Sequence, residues 1–142
     1  MSATTPATPV FLALGSNLGD RAAHLVSARD ALGRLPHTTL VASSRVEETL
    51  PLDGRDQPRY LNQMVLLETT LTPHQLLDAC LAIEHHAGRT RGDDRWASRT
   101  LDLDIVYFGD RSVTDDRLTI PHPELPNRDF WQRELAELGA HV

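Results

Sequence analysis

Residues 95–110, RWASRTLDLDIVYFGD, read as a β-strand that carries two unexpected aspartates. Aspartate is depleted in strands, whereas the aliphatic and aromatic residues around it favour them. Alternate residues of a strand share a face, so Asp102 and Asp104 are predicted to point the same way as Val106 and Phe108. Because both faces then carry apolar residues, we predict a strand that is covered on both sides for most of its length.

The two aspartates are the first candidate site. Two strand rises of about 3.3 Å separate them by roughly 6.5–7 Å. Like charges in a partly dehydrated site are costly unless cations compensate them, and Mg²⁺ is a hard cation suited to carboxylate and phosphate oxygens. The alternative is a strand end whose aspartates face water and pair with arginines.

An arginine-rich segment precedes the strand, with four arginines in eleven residues: Arg89, Arg91, Arg95 and Arg99. An acidic pair beside such a loop is typical of phosphoryl transfer, in which metal ions bridge phosphates and arginines neutralise charge. The alternative for the loop alone is a solvated charged connection, since Asp93 and Asp94 are interspersed.

The rest of the chain alternates strands and helices. Strands are predicted at 10–14, 38–49, 60–70 and 100–108, and helices at 21–35 and 73–87, with a weaker hairpin and a short closing helix at 131–138. Thr72 is expected to cap the second helix and Pro73 to occupy its first turn. The order β-α-β-β-α-β predicts an α+β fold of the ferredoxin-like kind, a largely antiparallel sheet with helices on one face. We expect residues 1–9 to be a disordered lead-in and 10–142 to form one domain.

Composition excludes several classes. The 142 residues carry a net charge of −6, which argues against broad binding to nucleic acid or to anionic membrane. One cysteine cannot form an internal disulfide, and neither a membrane span nor a secretory signal is recognisable, so we expect a cytoplasmic protein. All fourteen basic residues are arginine. Lysine-based Schiff-base and phosphate-loop chemistry is therefore excluded.

At residues 95–106 the motif RWASRTLDLDIV resembles the signature of the 6-hydroxymethyl-7,8-dihydropterin pyrophosphokinase family. Its pattern of a basic residue, small residues, arginine, D-x-D and two aliphatics is matched throughout. Four further segments resemble the same family in the same order: LALGSNLGDR (12–21), ETLPLDGRDQPRYLNQMVLLET (48–69), IEHHAGRTR (83–91) and LTIPHPELPNRDF (118–130).

The resemblance implies transfer of diphosphate from ATP to the hydroxymethyl group of the reduced pterin, leaving AMP. It implies that Asp102 and Asp104 hold two Mg²⁺ ions and that Arg89 and Arg99 close over the phosphates. The nucleotide side would consist of Arg91, Ile105, Arg117, Thr119, His122 and Arg128. The pterin side would consist of Asn17, Thr49, Leu52, Tyr60, Asn62, Trp96 and Phe130. Small-molecule substrates and a monomer are expected, without nucleic acid or membrane partners.

The chain departs from the family pattern in places. Ala97-Ser98 stands where the family usually has Gly-Pro, and Leu50 replaces a proline. After Phe130 the family continues with an aliphatic stretch, whereas this chain has the polar WQRELAELGAHV. Two alternatives therefore stay open: a divergent paralogue that binds pterin and nucleotide without turnover or uses another substrate, and a small protein-interaction domain.

Overall fold

The structure is a computed structural model that describes residues 6–50, 58–87 and 100–140. Seven strands and three α-helices lie in these ranges: β1 Thr8–Ser16, α1 Arg21–Gly33, β2 Thr38–Ser43, β3 Glu47–Thr49, β4 Tyr60–Thr69, α2 Pro73–His86, β5 Asp102–Phe108, β6 Val113–Thr114, β7 Thr119–Ile120 and α3 Asp129–Glu137, with a 3₁₀ turn at Leu125–Asn127. Of the helices in these ranges, none combines the length and the apolar character needed to cross a membrane.

The main sheet has the strand order β2-β4-β1-β5, and β3 pairs with β4 beyond the end of β2. All of its pairings are antiparallel, which confirms the predicted α+β class with an antiparallel sheet. The strand predicted over 38–49 is divided in two, with a register shift in β2 between Leu40 and Ala42. The first strand begins at Thr8, two residues inside the segment predicted to be a lead-in.

The second helix begins as predicted. Thr72 accepts a hydrogen bond from the Gln75 backbone N–H, and the Gln75 side chain accepts one from the Thr72 backbone N–H. This capping box satisfies two donors that a helix start otherwise leaves unpaired. Pro73 occupies the first turn, where its missing N–H costs nothing.

Helices cover both faces of the sheet, so the prediction of helices on one face is wrong for α3. The larger core packs α1 and α2 on side chains such as Leu12, Val65 and Leu103. A second core lies on the opposite face, where Trp131 and Leu135 of α3 meet residues of the sheet. Most residues of α3 are polar, so its narrow apolar stripe was not recognised in the sequence. Such a stripe is enough to bury one side of a short helix.

A β-bulge in β5 changes the predicted alternation of side chains. Phe11 pairs with Tyr107 and Leu12 with Ile105, so Val106 is the extra residue on β5. A bulge inserts one residue opposite a regular partner strand and shifts the later side chains by one position. Phe108 therefore packs in the core beneath α1 and α2, whereas Val106 packs on the other face. The predicted shared face is correct for Val106 and wrong for Phe108.

Cys80 lies inside the larger core, 1% exposed. Burial, reinforced by the charges of Glu84 and Asp104, raises the pKa of its thiol far above the ordinary range. Only the thiolate reacts readily with alkylating reagents. We therefore expect the folded protein to resist iodoacetamide at pH 8, conditions in which glutathione is alkylated, and to react once unfolded in urea. Mass spectrometry of the two samples checks this, and rapid labelling of the folded protein would contradict it.

Candidate active site

A row of residues crosses one face of the sheet at the start of β5. Asp102 is opposite Gly15 of β1, Gly15 is opposite Asn62 of β4, and Asn62 is opposite Glu47 of β3. Directly opposite residues of antiparallel strands project to the same side. With about 4.8 Å between strands, Asp102 and Asn62 are roughly 10 Å apart, with a glycine between them. This row brings a carboxylate and an amide to one surface.

Asp104 lies in the next row, opposite Ala13, on the face that α3 covers in part. Two basic side chains approach it: His122 Nε2 is 3.5 Å from Asp104 Oδ1, and Arg128 Nη1 is 3.8 Å from Oδ2. The carboxylate keeps 27% of its side-chain surface exposed. Asp102 is also half-buried. Asp104 therefore has two basic side chains beside it and remains partly open to solvent.

His122 is held in a defined orientation. Its backbone N–H donates to the Val106 carbonyl at 3.0 Å, which ties the segment after β7 to β5. Its Nδ1 accepts from the Glu124 backbone N–H at 3.1 Å, so in the neutral ring Nε2 carries the proton and faces Asp104. The ring also meets Trp131 edge-on at 4.9 Å. These contacts fix the position of the ring and leave Nε2 directed at Asp104.

Arg128 immediately precedes α3. Its guanidinium lies 4.4 Å from the centre of the Trp131 ring, which gives a cation–π contact. Its Nε is buried and has no hydrogen-bond partner among the described residues. A buried guanidinium N–H without an acceptor is costly, so this arginine is suited to an anionic ligand.

The amide end of the row is ordered by hydrogen bonds. Asn62, 7% exposed, donates from Nδ2 to Thr49 Oγ1 at 2.5 Å, and Tyr60 is opposite Thr49 in the β3–β4 pair. Asn17, fully buried, donates from Nδ2 to the Pro58 carbonyl at 3.1 Å. Because the Asn62 donor is directed at Thr49, its Oδ1 is the atom directed toward Gly15.

Gly15 lies in the candidate site, between Asp102 and Asn62, but is not among the residues predicted from the sequence. A Cβ at this position would lie 3.3 Å from Asn62 Oδ1 and 3.5 Å from Tyr60 Cδ1. Glycine within a strand commonly marks a close approach by another group, and that signal was available in LALGSN. Because glycine has no side chain, nothing projects from the sheet between the side chains of Asp102 and Asn62.

Glu84 of α2 supports β5 from the other face. It is 3% exposed, and its Oε2 accepts from the Leu103 backbone N–H at 2.7 Å. Leu103 is the residue between the two aspartates, so this bond fixes the strand where they project. Glu84 follows Leu76 and Cys80 at four-residue spacing in the buried stripe of α2, a position at which a carboxylate signals a specific partner.

The remaining predicted residues are dispersed. Phe130 belongs to α3, is 6% exposed and packs in the second core. Ile105 is 4% exposed and faces α1 and α2, away from the aspartates. On the β6–β7 hairpin Arg117 is paired with Asp78 of α2, and Thr119 is exposed opposite Thr114. Five predicted residues lie outside the described residues: Leu52, Arg89, Arg91, Trp96 and Arg99.

A cavity of about 470 Å³ lies between α1 and α2, with His24, Ile83 and His86 in its wall. It is on the opposite face of the sheet from Asp102 and Asp104, so it is separate from this site. In the described part of the chain no cluster of three or more histidine, cysteine or acidic side chains forms a metal site. The acidic pair itself offers two carboxylates, which suit a cation that takes its other ligands from water or substrate.

Comparison with known proteins gives a consistent result. The sequence profile of the 7,8-dihydro-6-hydroxymethylpterin-pyrophosphokinase family matches residues 11–140. A 2-amino-4-hydroxy-6-hydroxymethyldihydropteridine pyrophosphokinase of Pseudomonas aeruginosa is 46% identical over 130 residues, 92% of this chain and 80% of that protein. The enzyme of the same name from Haemophilus influenzae is 43% identical over 132 residues, 93% of this chain and 82% of that protein. A mitochondrial folate synthesis bifunctional protein of Pisum sativum is 42% identical over 91% of this chain, which matches 25% of its length.

Proposed function

This chain belongs to the 7,8-dihydro-6-hydroxymethylpterin-pyrophosphokinase family, and from that premise we propose that it makes the pterin diphosphate of folate synthesis. The pterin hydroxymethyl oxygen forms a bond to the β-phosphorus of ATP, the bond from that phosphorus to the oxygen of AMP breaks, and the hydroxyl proton is released. The observation that carries the proposal is the row Asp102–Gly15–Asn62. It places on one face a carboxylate suited to the phosphate end of the substrates and an amide suited to the heterocycle.

Asp102 and Asp104 would hold Mg²⁺. Their oxygens are hard donors, they share a face, and Asp104 keeps a solvent-exposed edge. Two protein carboxylates are enough, since Mg²⁺ retains waters and accepts substrate phosphate oxygens. Bound Mg²⁺ would neutralise charge on the phosphates. Arg128 then provides positive charge and His122 a ring N–H donor beside the same oxygens, which supports a phosphate position next to Asp104.

The pterin would bind at the amide end of the row. A flat heterocycle with donors and acceptors along its edge is matched by amide and hydroxyl groups held in fixed orientation. The hydrogen bond from Asn62 to Thr49 supplies that orientation, and Tyr60 and Asn17 lie at the same end of the sheet. For Leu52, Trp96 and Phe130 as pterin contacts, and for Arg89, Arg91 and Arg99 as phosphate contacts, the proposal rests on the family resemblance.

The outer nucleotide contacts are proposed from the position of the β6–β7 hairpin. Arg117 and Thr119 sit on the hairpin whose second strand lies beside β5. Ile105 faces the core, so only its backbone is available to a nucleotide. A monomer in the cytoplasm remains part of the proposal, as does a ferredoxin-like topology, for which the strand order β2-β4-β1-β5 is the support.

The direct test is incubation with ATP, Mg²⁺ and 6-hydroxymethyl-7,8-dihydropterin, followed by chromatography of nucleotides and pterins. We expect AMP and pterin diphosphate in equal amounts and no product when any one component is omitted. Formation of ADP would contradict diphosphate transfer. Binding of both ligands in calorimetry without AMP formation would favour the paralogue that lacks turnover.

Gly15→Ala should weaken pterin binding about fivefold, which corresponds to the low end of the roughly 1–3 kcal/mol cost of overpacking. The added methyl would stand 3.3 Å from Asn62 Oδ1 and displace the amide. Calorimetric titration with pterin and, separately, with Mg-ATP measures the effect, and ATP affinity should be retained. Gly33→Ala is the matched control, since its Cβ would make an ordinary 3.8 Å contact with Leu40. Equal losses for both ligands would contradict the placement of pterin at Gly15.

A further inference from the structure

Helix α3 and strand β3, joined by the ion pair of Arg133 with Glu47, carry two carboxyl groups with buried oxygens that the proposed chemistry does not use. Glu134 is 1% exposed, and neither of its carboxyl oxygens has a hydrogen-bond donor among the described residues. Oε2 of Glu47 is likewise buried without a hydrogen-bond donor among the described residues, while Glu47 Oε1 accepts from Arg133 Nε at 3.2 Å. Three buried carboxyl oxygens without donors require an explanation, because a buried polar group left unpaired is destabilising.

A single proton reduces this shortage from three oxygens to one. Two ionised carboxylates are acceptors only, so neither can satisfy the other. Arg133, the residue before Glu134, contacts Glu47, and a hydrogen bond with Glu47 is among the causes that raise the pKa of Glu134. A protonated Glu134 can therefore donate to Glu47. Hydrogen bonds to an ionised acceptor are short and strong. One proton thus pairs an oxygen on each side and leaves one negative charge next to Arg133.

We propose that Glu134, as a carboxylic acid, donates a hydrogen bond to Glu47 that holds α3 against β3, and that this shared proton positions Asn62 for the pterin. Only the second part rests on the proposed function. Glu134 and Glu47 are positioning residues in this scheme, since neither touches a reacting atom.

The register explains how β3 reaches the site. Glu47 is directly opposite Asn62, and two residues later Thr49 accepts the hydrogen bond from the Asn62 amide. β3 is only three residues long, and its pairing within the described sheet is with β4 alone. Because Glu47 and Thr49 are two residues apart on this strand, the attachment of Glu47 to α3 helps to position Thr49, together with the pairing to β4 and the ion pair of Glu48 with Arg21.

The charges around the pair set the direction of its pH dependence. Burial, followed by the hydrogen bond and the charge of Glu47, raises the pKa of Glu134 from 4.5 to about 9. The charge of Glu137 on the same helix acts in the same direction, and that of Arg133 opposes it. Arg45, which precedes β3, is paired with Glu137. Glu134 is therefore protonated in the folded protein at neutral pH and ionised in the unfolded chain.

Unfolding consequently releases a proton between these two pKa values, so stability should fall as the pH rises from about 4.5 to about 9 and then level off. Glu134→Gln keeps a neutral donor and removes this dependence. We expect its Tm to equal that of the wild type near pH 5 and to exceed it by at least about 3 °C near pH 8.5. Glu137→Gln, an exposed carboxylate of the same helix, should not show the pH-dependent gain.

The proton can also be observed directly. An infrared band of a protonated carboxylic acid should persist in the wild type at pH 8 and be absent from Glu134→Gln. Parallel Tm curves for wild type and Glu134→Gln, or no such band in the wild type, would overturn the shared proton.

The positioning role is tested by pterin affinity, with Mg-ATP affinity as the internal reference. The wild type and Glu134→Gln should bind pterin equally at pH 7. At pH 10 the wild type should bind it at least about fivefold more weakly than the variant, the low end of common coupling between two sites. Comparing two proteins at one pH cancels ionisation of the pterin itself. Glu134→Ala, which lacks a donor, should bind pterin weakly at pH 7, and Glu134→Gln should rescue it.

Each contrary experimental result would overturn a different part of the proposal. Identical pH profiles of pterin affinity in wild type and Glu134→Gln would overturn the positioning role while the infrared band still decides the shared proton. Absence of pterin binding by the wild type at every pH would overturn the proposed function and the positioning role together. Equal losses of pterin and Mg-ATP affinity in Glu134→Ala would show that Glu134 only stabilises the fold.

Discussion

Replacing Asp102 or Asp104 by asparagine should lower kcat/KM for diphosphate transfer by at least about 10³-fold, the upper range for removing one preorganised electrostatic group. Asparagine keeps the size of the side chain but loses the charge that a divalent cation requires. In the case of Asp104, the change also leaves His122 and Arg128 facing each other without their shared carboxylate. The fold should persist, because both carboxylates lie at the surface of the core.

Steady-state assays over a range of Mg²⁺ concentration, together with thermal unfolding, measure these effects. Asp110→Asn is the matched control, an exposed aspartate just past the other end of the same strand. It should retain wild-type turnover. If either site variant regained normal turnover at saturating Mg²⁺, its carboxylate would affect only metal affinity. If turnover were normal at every Mg²⁺ concentration, the acidic pair would not be the metal site.

Asn62→Ala should weaken pterin binding by about 10²-fold while Mg-ATP affinity changes little. The truncation removes edge hydrogen bonds of about 0.5–1.5 kcal/mol each and leaves pterin groups unpaired in a partly dehydrated site. It also removes the donor that Thr49 accepts. Separate calorimetric titrations with pterin and with Mg-ATP provide the comparison.

Gln63→Ala offers a control on the neighbouring position. Gln63 is a buried amide like Asn62, but it faces the other side of β4, where it donates to the Ser44 carbonyl and accepts from Arg29. Its truncation should lower Tm without a selective loss of pterin affinity. If Asn62→Ala weakened both ligands equally, Asn62 would belong to the scaffold and not to the pterin site.

Local patterns in the sequence were sufficient for most of the secondary structure. The cap at Thr72, the spacing of apolar residues in α1 and the alternation in β5 as far as Val106 are properties of a few neighbouring residues. Such signals are read correctly when tertiary contacts agree with them. The carboxylates at positions 102 and 104 were recognisable for the same reason, since two residues of one strand share a face whatever surrounds them.

Other features were decided only by pairing over long distances. The bulge at Val106 depends on the register between β1 and β5 and has no glycine or proline to announce it. The same bulge moved Phe108 to the opposite face from the one predicted. Likewise, Ile105 belongs to the same motif as the aspartates but faces the other side of the sheet, where α1 and α2 cover it.

The sequence by itself determined the chemistry available to this protein: two carboxylates on one strand face, arginine as the basic residue, and amide and aromatic groups for a heterocycle. The tertiary structure alone decided which of these groups meet. Register placed Gly15 between Asp102 and Asn62, and the packing of α3 brought Arg133 to Glu47, 86 residues away. The physical reason is that propensity and periodicity act between near neighbours in the chain, whereas register and burial are properties of the whole sheet and its two covered faces.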